Sequence, residues 1–258
     1  MSASDLILEA RAVSKRFGGV KALSAVSLTI RRGEIYGLIG PNGAGKTTLF
    51  NCLTGLYQAD EGEFWLEGAR LNTEAPHAVA VQGIARTFQN IRLFGNMSAL
   101  ENVMVGRHVR THAQVMGAIF RTRATRAEET AIAGRAQELL RYVGIDSRAN
   151  DTANQLSYGD QRRLEIARAL STEPKLLALD EPAAGMNATE TASLRKLIVA
   201  LRQDGITVLL IEHDVKLVMG LCDRVAVLDY GEKIAEDVPA KVQRDAKVIE
   251  AYLGGTVA

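Results

Sequence analysis

The chain has 258 residues, of which 47% are hydrophobic and 24% charged, and its formal net charge is +1. This length allows one large α/β domain or two small ones, with enough apolar material for a core. The near-zero charge gives no bulk attraction to nucleic acid or to anionic lipid, so we expect no nucleic-acid partner. Because no stretch approaches the roughly 20 apolar residues of a membrane span, and no signal peptide is visible, any membrane attachment is expected to come through another chain.

The N-terminal third contains short apolar stretches that are typical of strands. We expect strands at residues 6–13, 25–30, 34–39, 62–68 and 85–89. Phe17 falls in the loop between the first two strands, where it either stacks on a purine base or anchors the loop in the core. Cys52 and Cys222 lie in apolar helical stretches, so we expect reduced cysteines in the core of a cytosolic protein.

Strand patterns disappear between residues 90 and 157, where apolar residues recur at helical spacing. We expect helices at 100–105 and 133–143 and interpret the whole stretch as an inserted helical subdomain. Residues 107–126 are rich in arginine and histidine but also carry apolar side chains. They form either an amphipathic partner-binding or membrane-surface helix or a solvated hairpin with an ordinary buried stripe, and we favour the hairpin.

Helices and apolar strands alternate again in the C-terminal part of the chain, which predicts a mostly parallel sheet covered on both faces. The expected strands are residues 175–180, 206–211 and 225–229. The expected helices are residues 162–170, 190–202, 215–221 and, in the tail, 248–254.

Residues 40–48 match the phosphate-loop pattern G-x-x-x-x-G-K-[ST] between an expected strand and an expected helix. Glycines let backbone N–H groups surround a phosphate, and the helix N-terminus adds partial positive charge. We expect Lys46 to reach the β- and γ-phosphates and the Thr47 hydroxyl to bind Mg²⁺. A chance glycine-rich turn is the weaker alternative. The predicted nucleotide-binding residues are Gly40, Pro41, Asn42, Gly43, Ala44, Gly45, Lys46, Thr47 and Thr48.

Polar residues end three of the expected strands. Asp180 and Glu181 follow a buried strand, where Asp180 is expected to hold Mg²⁺ and Glu181 to polarise an attacking water. His213 ends the next strand and could contact the γ-phosphate, although a lone histidine there is usually structural. Gln89 at the end of residues 85–89 is, by itself, only a polar strand end.

Residues 156–161, here called the signature segment, combine a serine and glycine turn with the start of a long helix. Ser157 can cap that helix, whose N-terminus can face an anion. A plain helix cap is the alternative. The six residues are Leu156, Ser157, Tyr158, Gly159, Asp160 and Gln161.

In this order, these motifs resemble those of the nucleotide-binding subunit of an ABC transporter, and the resemblance covers nearly the whole chain. It implies a P-loop NTPase with a RecA-like core, an inserted helical subdomain and a small N-terminal antiparallel β region. The implied core is residues 1–89 and 158–238, with a helical subdomain facing the permease at 90–157 and a tail at 239–258.

The resemblance also implies roles for individual residues. Phe17 would stack on adenine, and Gln89 would sense both Mg²⁺ and the permease. With Thr47 and Asp180, Gln89 would form the Mg²⁺ site. Glu181 would be the catalytic base and His213 the switch histidine. The signature segment would act on ATP held by a partner cassette in a head-to-tail dimer.

Several stretches, among them residues 86–90, 212–219 and 251–254, look like the LivG-type ATPase of branched-chain amino acid uptake systems. That resemblance implies a second, LivF-like ATPase (or a second copy of this chain), two permease subunits and a solute-binding protein. It places the chain in the cytoplasm, on the inner face of the membrane. The alternatives are a lipopolysaccharide-export type of ABC ATPase, a soluble non-transport ABC ATPase and a binding-only regulatory subunit.

Two residues depart from the usual pattern of the family. Asp160 replaces the glutamine that usually ends the signature and puts a carboxylate near the partner's triphosphate, which would weaken that site. Asn187 replaces the usual aspartate of the following loop and removes a charge. Neither departure touches the phosphate loop, so ATP binding by this chain is still expected.

Overall fold

The computed structural model describes residues 5–71, 75–107 and 123–253. Within these ranges the chain forms two sheets with helices packed against them. The strands, in chain order, are β1 (Leu6–Phe17), β2 (Val20–Arg31), β3 (Ile35–Ile39), β4 (Glu61–Leu66), β5 (Ala69–Leu71), β6 (Ile84–Arg86), β7 (Leu176–Asp180), β8 (Thr207–Ile211), β9 (Arg224–Asp229) and β10 (Glu232–Asp237).

The helices begin where the local sequence supplies a start signal. Ser157 accepts a hydrogen bond from the Asp160 amide at the start of one helix, and Pro76 occupies the first position of another. The helices are α1 (Lys46–Leu53), α2 (Pro76–Gln82), α3 (Ala99–Arg107), α4 (Arg123–Val143), α5 (Tyr158–Leu170), α6 (Ala188–Gln203), α7 (Val215–Leu221), α8 (Pro239–Val242) and α9 (Ala246–Leu253).

The larger sheet has the strand order β10-β9-β3-β8-β7-β6. Its strands run parallel from β9 to β6, and β10 pairs with β9 in the antiparallel direction. The smaller sheet, of order β2-β1-β4-β5, is antiparallel throughout. The mostly parallel sheet and the N-terminal antiparallel region expected from the sequence are both confirmed.

The larger sheet lies between two hydrophobic cores, so its central parallel strands β3, β8 and β7 are buried on both faces. On β3, Ile35 and Ile39 belong to the core shared with helices α3 to α7, whereas Tyr36 and Leu38 belong to the core shared with α1 and the antiparallel sheet. This double burial explains why the parallel strands are continuous apolar runs. Cys52 and Cys222 are free and buried, as expected.

Several elements differ from the sequence-based expectation. β1 and β2 are longer than predicted and meet at a tight Gly18–Gly19 turn, so Phe17 ends a strand instead of lying in a loop. The strand predicted at 85–89 ends at Arg86. The Thr87 amide still bonds to the Ala178 oxygen of β7, but the Phe88 N–H turns away from the sheet and donates to the Glu165 carboxylate. Strands β5 and β10 and helices α2 and α8 were not predicted.

The helical part of the chain is described in two pieces. Helices α3, α4 and α5 pack against one another, and their apolar residues join the same core as the parallel sheet. Residues 108–122, which contain most of the predicted 107–126 feature, lie outside the described residues. No helix within the described ranges combines the length and apolarity that a membrane span requires. The proposed subdomain boundaries stay a prediction.

Replacing Leu140 with alanine tests whether α4 belongs to the main core. Leu140 is completely buried in the core that contains the parallel sheet. We expect Leu140→Ala to lower the free energy of unfolding by about 2–5 kcal/mol, because it removes buried methyl groups and leaves a cavity. Urea unfolding measures this loss. Val81→Ala, at an exposed position of α2, is the control and should change stability by less than about 0.5 kcal/mol. Equal losses in the two variants would contradict the described core.

Candidate active site

The phosphate loop joins β3 to α1 through three glycines with positive φ. Gly40 and Gly45 are also places where the backbone passes close to other chain segments. A Cβ at Gly40 would lie 2.1 Å from the Leu228 carbonyl oxygen, and one at Gly45 would lie 2.6 Å from that of Ala22. Gly43 has a φ of 80° but faces open space. The three glycines are therefore required for different reasons. A side chain would clash at Gly40 and Gly45, whereas Gly43 is needed for its positive φ.

Lys46 begins α1 and is buried. Its Nζ donates to the Gly40 oxygen at 2.7 Å and to the Pro41 oxygen at 2.9 Å, so the ammonium lies inside the loop. Burial lowers the pKa of Lys46, and the charges of Glu181 and Asp180 act in the opposite direction. An anion entering the loop would meet a preformed cation together with a helix N-terminus.

Asp180 ends β7 and is almost completely buried. Its amide donates to Thr87 Oγ1, and its carboxylate lies 3.9 Å from the Arg86 guanidinium. Burial raises the pKa of Asp180 to about 6, against the opposing charge of Arg86. A carboxylate held in this environment is incompletely neutralised by its neighbours, and additional positive charge would stabilise it.

Gln89, Glu181 and His213 meet at the ends of three different segments. The Gln89 side-chain amide donates to Glu181 Oε2 at 2.9 Å, and His213 Nδ1 lies 3.7 Å from the same oxygen. Glu181 has a left-handed backbone with φ of 46°, and its amide donates to the Ile211 oxygen of β8. The structure thus brings together the three residues that were predicted to act in catalysis.

Gln89 and Glu181 line a cavity of about 490 Å³, and His213 is in contact with Glu181 but not among the lining residues. The floor of the cavity is the phosphate loop from Asn42 to Thr48, and Gln89 and Glu181 lie on its wall. The opposite rim is formed by the first residues of β2 and by the β9–β10 turn; it includes Val20, Lys21, Ala22, Tyr230 and Gly231.

Phe17 lies beside this rim and does not line the cavity. Its ring is 44% exposed and packs edge-on against Tyr57, with centroids 5.3 Å apart. The alternative in which Phe17 anchors its loop in the core is therefore wrong. An exposed ring next to the cavity can stack on a base, so adenine stacking stays a prediction.

None of the six signature residues lines the cavity around the chain's own phosphate loop. Ser157 and Tyr158 are exposed at the start of α5, whereas Leu156 and Gly159 are buried. Gln161 donates to the Leu156 oxygen, which closes the turn before the helix. This placement is compatible with a role toward another molecule, as the sequence resemblance implies.

Sequence reasoning missed the contacts of two arginines near the site, of which Arg86 is partly buried and Arg162 is buried. Arg86 donates to Asn51 Oδ1 and Thr54 Oγ1 and packs on aromatic rings. Arg162 and Glu165 form a buried pair, 2% and 1% exposed, at the start of α5. The only sequence signal for the Arg162–Glu165 pair was helical periodicity, which puts residues three apart on the same face of α5.

Asn187 has a structural role that its sequence context did not reveal. Its side chain accepts from the Glu190 amide at 3.0 Å, and its own amide donates to the Glu190 carboxylate at 2.9 Å. This reciprocal capping box starts α6.

The fold and the cavity define a phosphate-loop nucleotide-binding ATPase. A family model described as "ABC transporter" matches residues 23–184, and one described as "Branched-chain amino acid ATP-binding cassette transporter" matches residues 232–258. The chain is 45% identical to the high-affinity branched-chain amino acid transport ATP-binding protein BraF of Pseudomonas aeruginosa, covering 96% of this chain and 98% of BraF. It is 44% identical to LivG of Salmonella typhimurium, covering 97% and 99%.

Solved structures agree with these relatives. An ATP-binding cassette of an ABC transporter in its ADP conformation superimposes with a TM-score of 0.83 at 32% identity, covering 96% of this chain and 99% of that one. A dimeric bacterial ABC transporter cassette gives a TM-score of 0.77 at 27% identity, covering 90% and 99%. The chain therefore belongs to the ABC transporter ATP-binding family, in its branched-chain amino acid branch.

Two glycine-to-alanine variants test the geometry of the phosphate loop. Gly40→Ala should lower the free energy of unfolding by at least about 2 kcal/mol more than Gly43→Ala. Its Cβ would clash with the Leu228 oxygen, whereas at Gly43 only the backbone conformation, about 1–2 kcal/mol, opposes alanine. Urea unfolding without nucleotide compares them, and equal losses would show that Gly40 is not sterically constrained.

Proposed function

We propose that this chain is the ATP-hydrolysing subunit of an importer of branched-chain or related hydrophobic amino acids. The observation that carries the catalytic part is the contact of Glu181 with both Gln89 and His213, at a cavity that Gln89, Glu181 and Lys46 line. The amino-acid part is supported by the branch to which the chain belongs and by the names of relatives that match over nearly its full length.

ATP would bind with its triphosphate in the phosphate loop. Lys46 would exchange the carbonyl oxygens of Gly40 and Pro41 for β- and γ-phosphate oxygens, with little movement because it already lies inside the loop. The backbone N–H groups from Asn42 to Thr48 would surround the phosphates. Phe17, beside the rim, would stack on the adenine.

Glu181 is the proposed general base for the attacking water. Its Oε2 accepts from Gln89 and lies within 4 Å of His213, so both neighbours are placed to orient it and the water. The backbone bond from Glu181 to β8 holds the carboxylate at the cavity wall. His213 is exposed, which leaves its ring accessible to the γ-phosphate.

The chain offers oxygen ligands of the kind that Mg²⁺ prefers. Thr47 and Gln89 line the cavity, and Asp180 directly precedes Glu181, which also lines it. The Thr47 hydroxyl, the Gln89 side-chain oxygen and the Asp180 carboxylate are hard ligands, and burial raises the pKa of Asp180, so a divalent cation would stabilise its charged form. When bound, Mg²⁺ would neutralise developing charge on the phosphates. We therefore assign these three residues to the proposed ion.

The second half of each ATP site is proposed to come from another cassette. The signature segment lies outside the chain's own cavity, and one of the similar solved structures is a dimeric cassette. In a head-to-tail pair, residues 156–161 of each subunit would close on the nucleotide held by the other. The partner is a LivF-like ATPase or a second copy of this chain.

The other proposed partners follow from the transport function. Two permease subunits would carry the cassettes on the inner face of the cytoplasmic membrane and receive the motion of the helical region near Gln89. A solute-binding protein would deliver the amino acid from the other side. Choice of solute would then lie with those chains.

The direct experiment measures ATPase activity of this chain alone, with the second cassette, and with permeases and solute-binding protein in vesicles. Activity that rises on assembly, and rises again with leucine-loaded binding protein, would support the proposal. Vigorous activity of the chain alone, unchanged by permease, would instead indicate a soluble ATPase.

Glu181→Gln should abolish hydrolysis and leave ATP binding intact. The amide keeps the size of the side chain and an oxygen that accepts from Gln89, but it cannot take a proton from water. We expect kcat to fall by about 10²-fold or more and the Kd for ATP to stay within about threefold. Turnover assays and nucleotide titration measure the two quantities. The exposed Glu138→Gln is the control, and undiminished turnover in Glu181→Gln would remove Glu181 from its proposed role.

Asp160→Gln should improve the composite site while weakening the start of α5. Removing a carboxylate near the partner's triphosphate is expected to lower the KM for ATP of the assembled dimer by roughly two- to tenfold. The same change removes an acidic residue from the first turn of a helix and should cost about 0.3–1 kcal/mol of stability. Steady-state ATPase assays and urea unfolding measure both effects.

Asp151→Gln, which removes an exposed carboxylate paired with Arg148, serves as the control. It should leave the KM unchanged. A KM for Asp160→Gln that equals or exceeds that of the unsubstituted chain would contradict the proposed repulsion.

A further inference from the structure

Phe88 and Gln89 lie just beyond β6, and side chains, not sheet hydrogen bonds, hold their backbone in place. Thr87 still donates to the Ala178 oxygen of β7, but Phe88 and Gln89 make no ladder bond. The Phe88 N–H donates to Glu165 Oε1 at 3.2 Å. The Phe88 oxygen accepts from Arg162 Nη1 at 2.6 Å, and the Gln89 oxygen accepts from Arg162 Nη2.

We call Arg162 and Glu165 the clamp, and both residues lie in the first turns of α5. Arg162 Nη1 also donates to Glu165 Oε2 at 3.2 Å, so the two linked side chains hold both the N–H and the carbonyl oxygen of Phe88. A buried ion pair is by itself weak evidence for stability, because desolvation offsets the attraction. Here the geometry has a second consequence, since it fixes the backbone that carries the Gln89 side chain to Glu181.

The same guanidinium reaches the signature segment. Arg162 Nη2 donates to the Tyr158 hydroxyl at 3.1 Å. The Tyr158 ring in turn lies against Gly185, where a Cβ would be 3.2 Å from the ring. A continuous set of contacts therefore runs from the exposed start of α5, through Arg162, to the backbone of Gln89.

We propose that Arg162 is a positioning residue that couples the signature segment to the Gln89–Glu181 contact of the same chain. When the signature closes on the partner's nucleotide, any displacement of α5 would be transmitted to Gln89, and the chain's own ATP site would respond. This inference rests on the proposed function, because it takes the signature segment and Gln89 to act in two different ATP sites of one dimer.

Arg162→Lys is the variant that tests this coupling. Lysine keeps a positive charge beside the buried Glu165, but a single ammonium cannot reach two carbonyl oxygens and the Tyr158 hydroxyl in one geometry. In the assembled transporter we expect kcat to fall by about tenfold and the KM for ATP to change by less than about twofold. Because a loss of folded protein would also lower the apparent kcat at unchanged KM, turnover is expressed per ATP-binding site determined by nucleotide titration.

Arg163→Lys is the matched control. Arg163 is the next residue of α5 and also bonds a carbonyl and a hydroxyl, but its partners are Val143 and Ser193, away from Gln89. Its kcat should stay within about twofold of the unsubstituted chain. Equal losses in the two lysine variants would overturn the proposal.

A double-mutant cycle separates positioning from a general effect. Because Arg162 is proposed to act through Gln89, Arg162→Lys should change kcat by less than about twofold when Gln89 is already alanine. An undiminished tenfold loss in the Gln89→Ala background would overturn the coupling.

Hydrogen exchange in the isolated chain gives a readout that needs no ATPase activity. The Phe88 amide, which donates to the Glu165 carboxylate that Arg162 holds, should exchange about tenfold faster in Arg162→Lys than in Arg163→Lys, and identical exchange would overturn the clamp. An assembly of the unsubstituted chain that hydrolyses no ATP would refute the proposed function. An active assembly with a normal Arg162→Lys variant would refute only this inference.

Discussion

The register of three adjacent parallel strands, β3, β8 and β7, brings the phosphate loop, Glu181 and His213 to one edge of the sheet. Ile211 at the end of β8 is paired with Leu38 of β3 on one side and with Asp180 of β7 on the other. The residues that follow this row are therefore brought to one edge of the sheet, and they include the phosphate loop, Glu181 and His213. A shift of one residue would turn Asp180 to the opposite face, so the double burial of these strands also specifies the chemistry.

That edge of the sheet concentrates buried charge. Asp180 and Glu212 are both almost fully buried, and burial raises the pKa of each. One oxygen of Glu212 accepts from the Ala183 amide, and the other has no hydrogen-bonding partner among the described residues. Arg86 and Lys46 act in the opposite direction on Asp180, but burial has the larger effect, so the charged form of this acid is still disfavoured. A cation brought into the cavity with a nucleotide would therefore stabilise the charged form of Asp180.

The parts of the structure that could be predicted from sequence are those with a strong local cause. The phosphate loop, the buried strands and the order of elements follow from glycine spacing and apolar runs. The end of β6 could not be predicted, because it depends on Glu165, 77 residues after Phe88 in the chain, taking the Phe88 amide. We did not predict the Arg162–Glu165 clamp for the same reason. It binds backbone atoms of Phe88 and Gln89, and a contact to the backbone leaves no pattern in the order of the side chains.

The two departures from the family pattern have different physical consequences. Asn187 starts α6 with the same reciprocal hydrogen bonds that aspartate would make. Asparagine and aspartate are about equally good helix caps, so the loss of the charge leaves the start of α6 intact. Asp160 is different, because its carboxylate interacts favourably with the N-terminus of α5 and unfavourably with any anion brought to that terminus. A helix whose own acid competes with the incoming phosphate would bind that phosphate less tightly. The departure at Asp160 therefore acts on the proposed partner's nucleotide, and the chain's own phosphate loop keeps its full set of contacts.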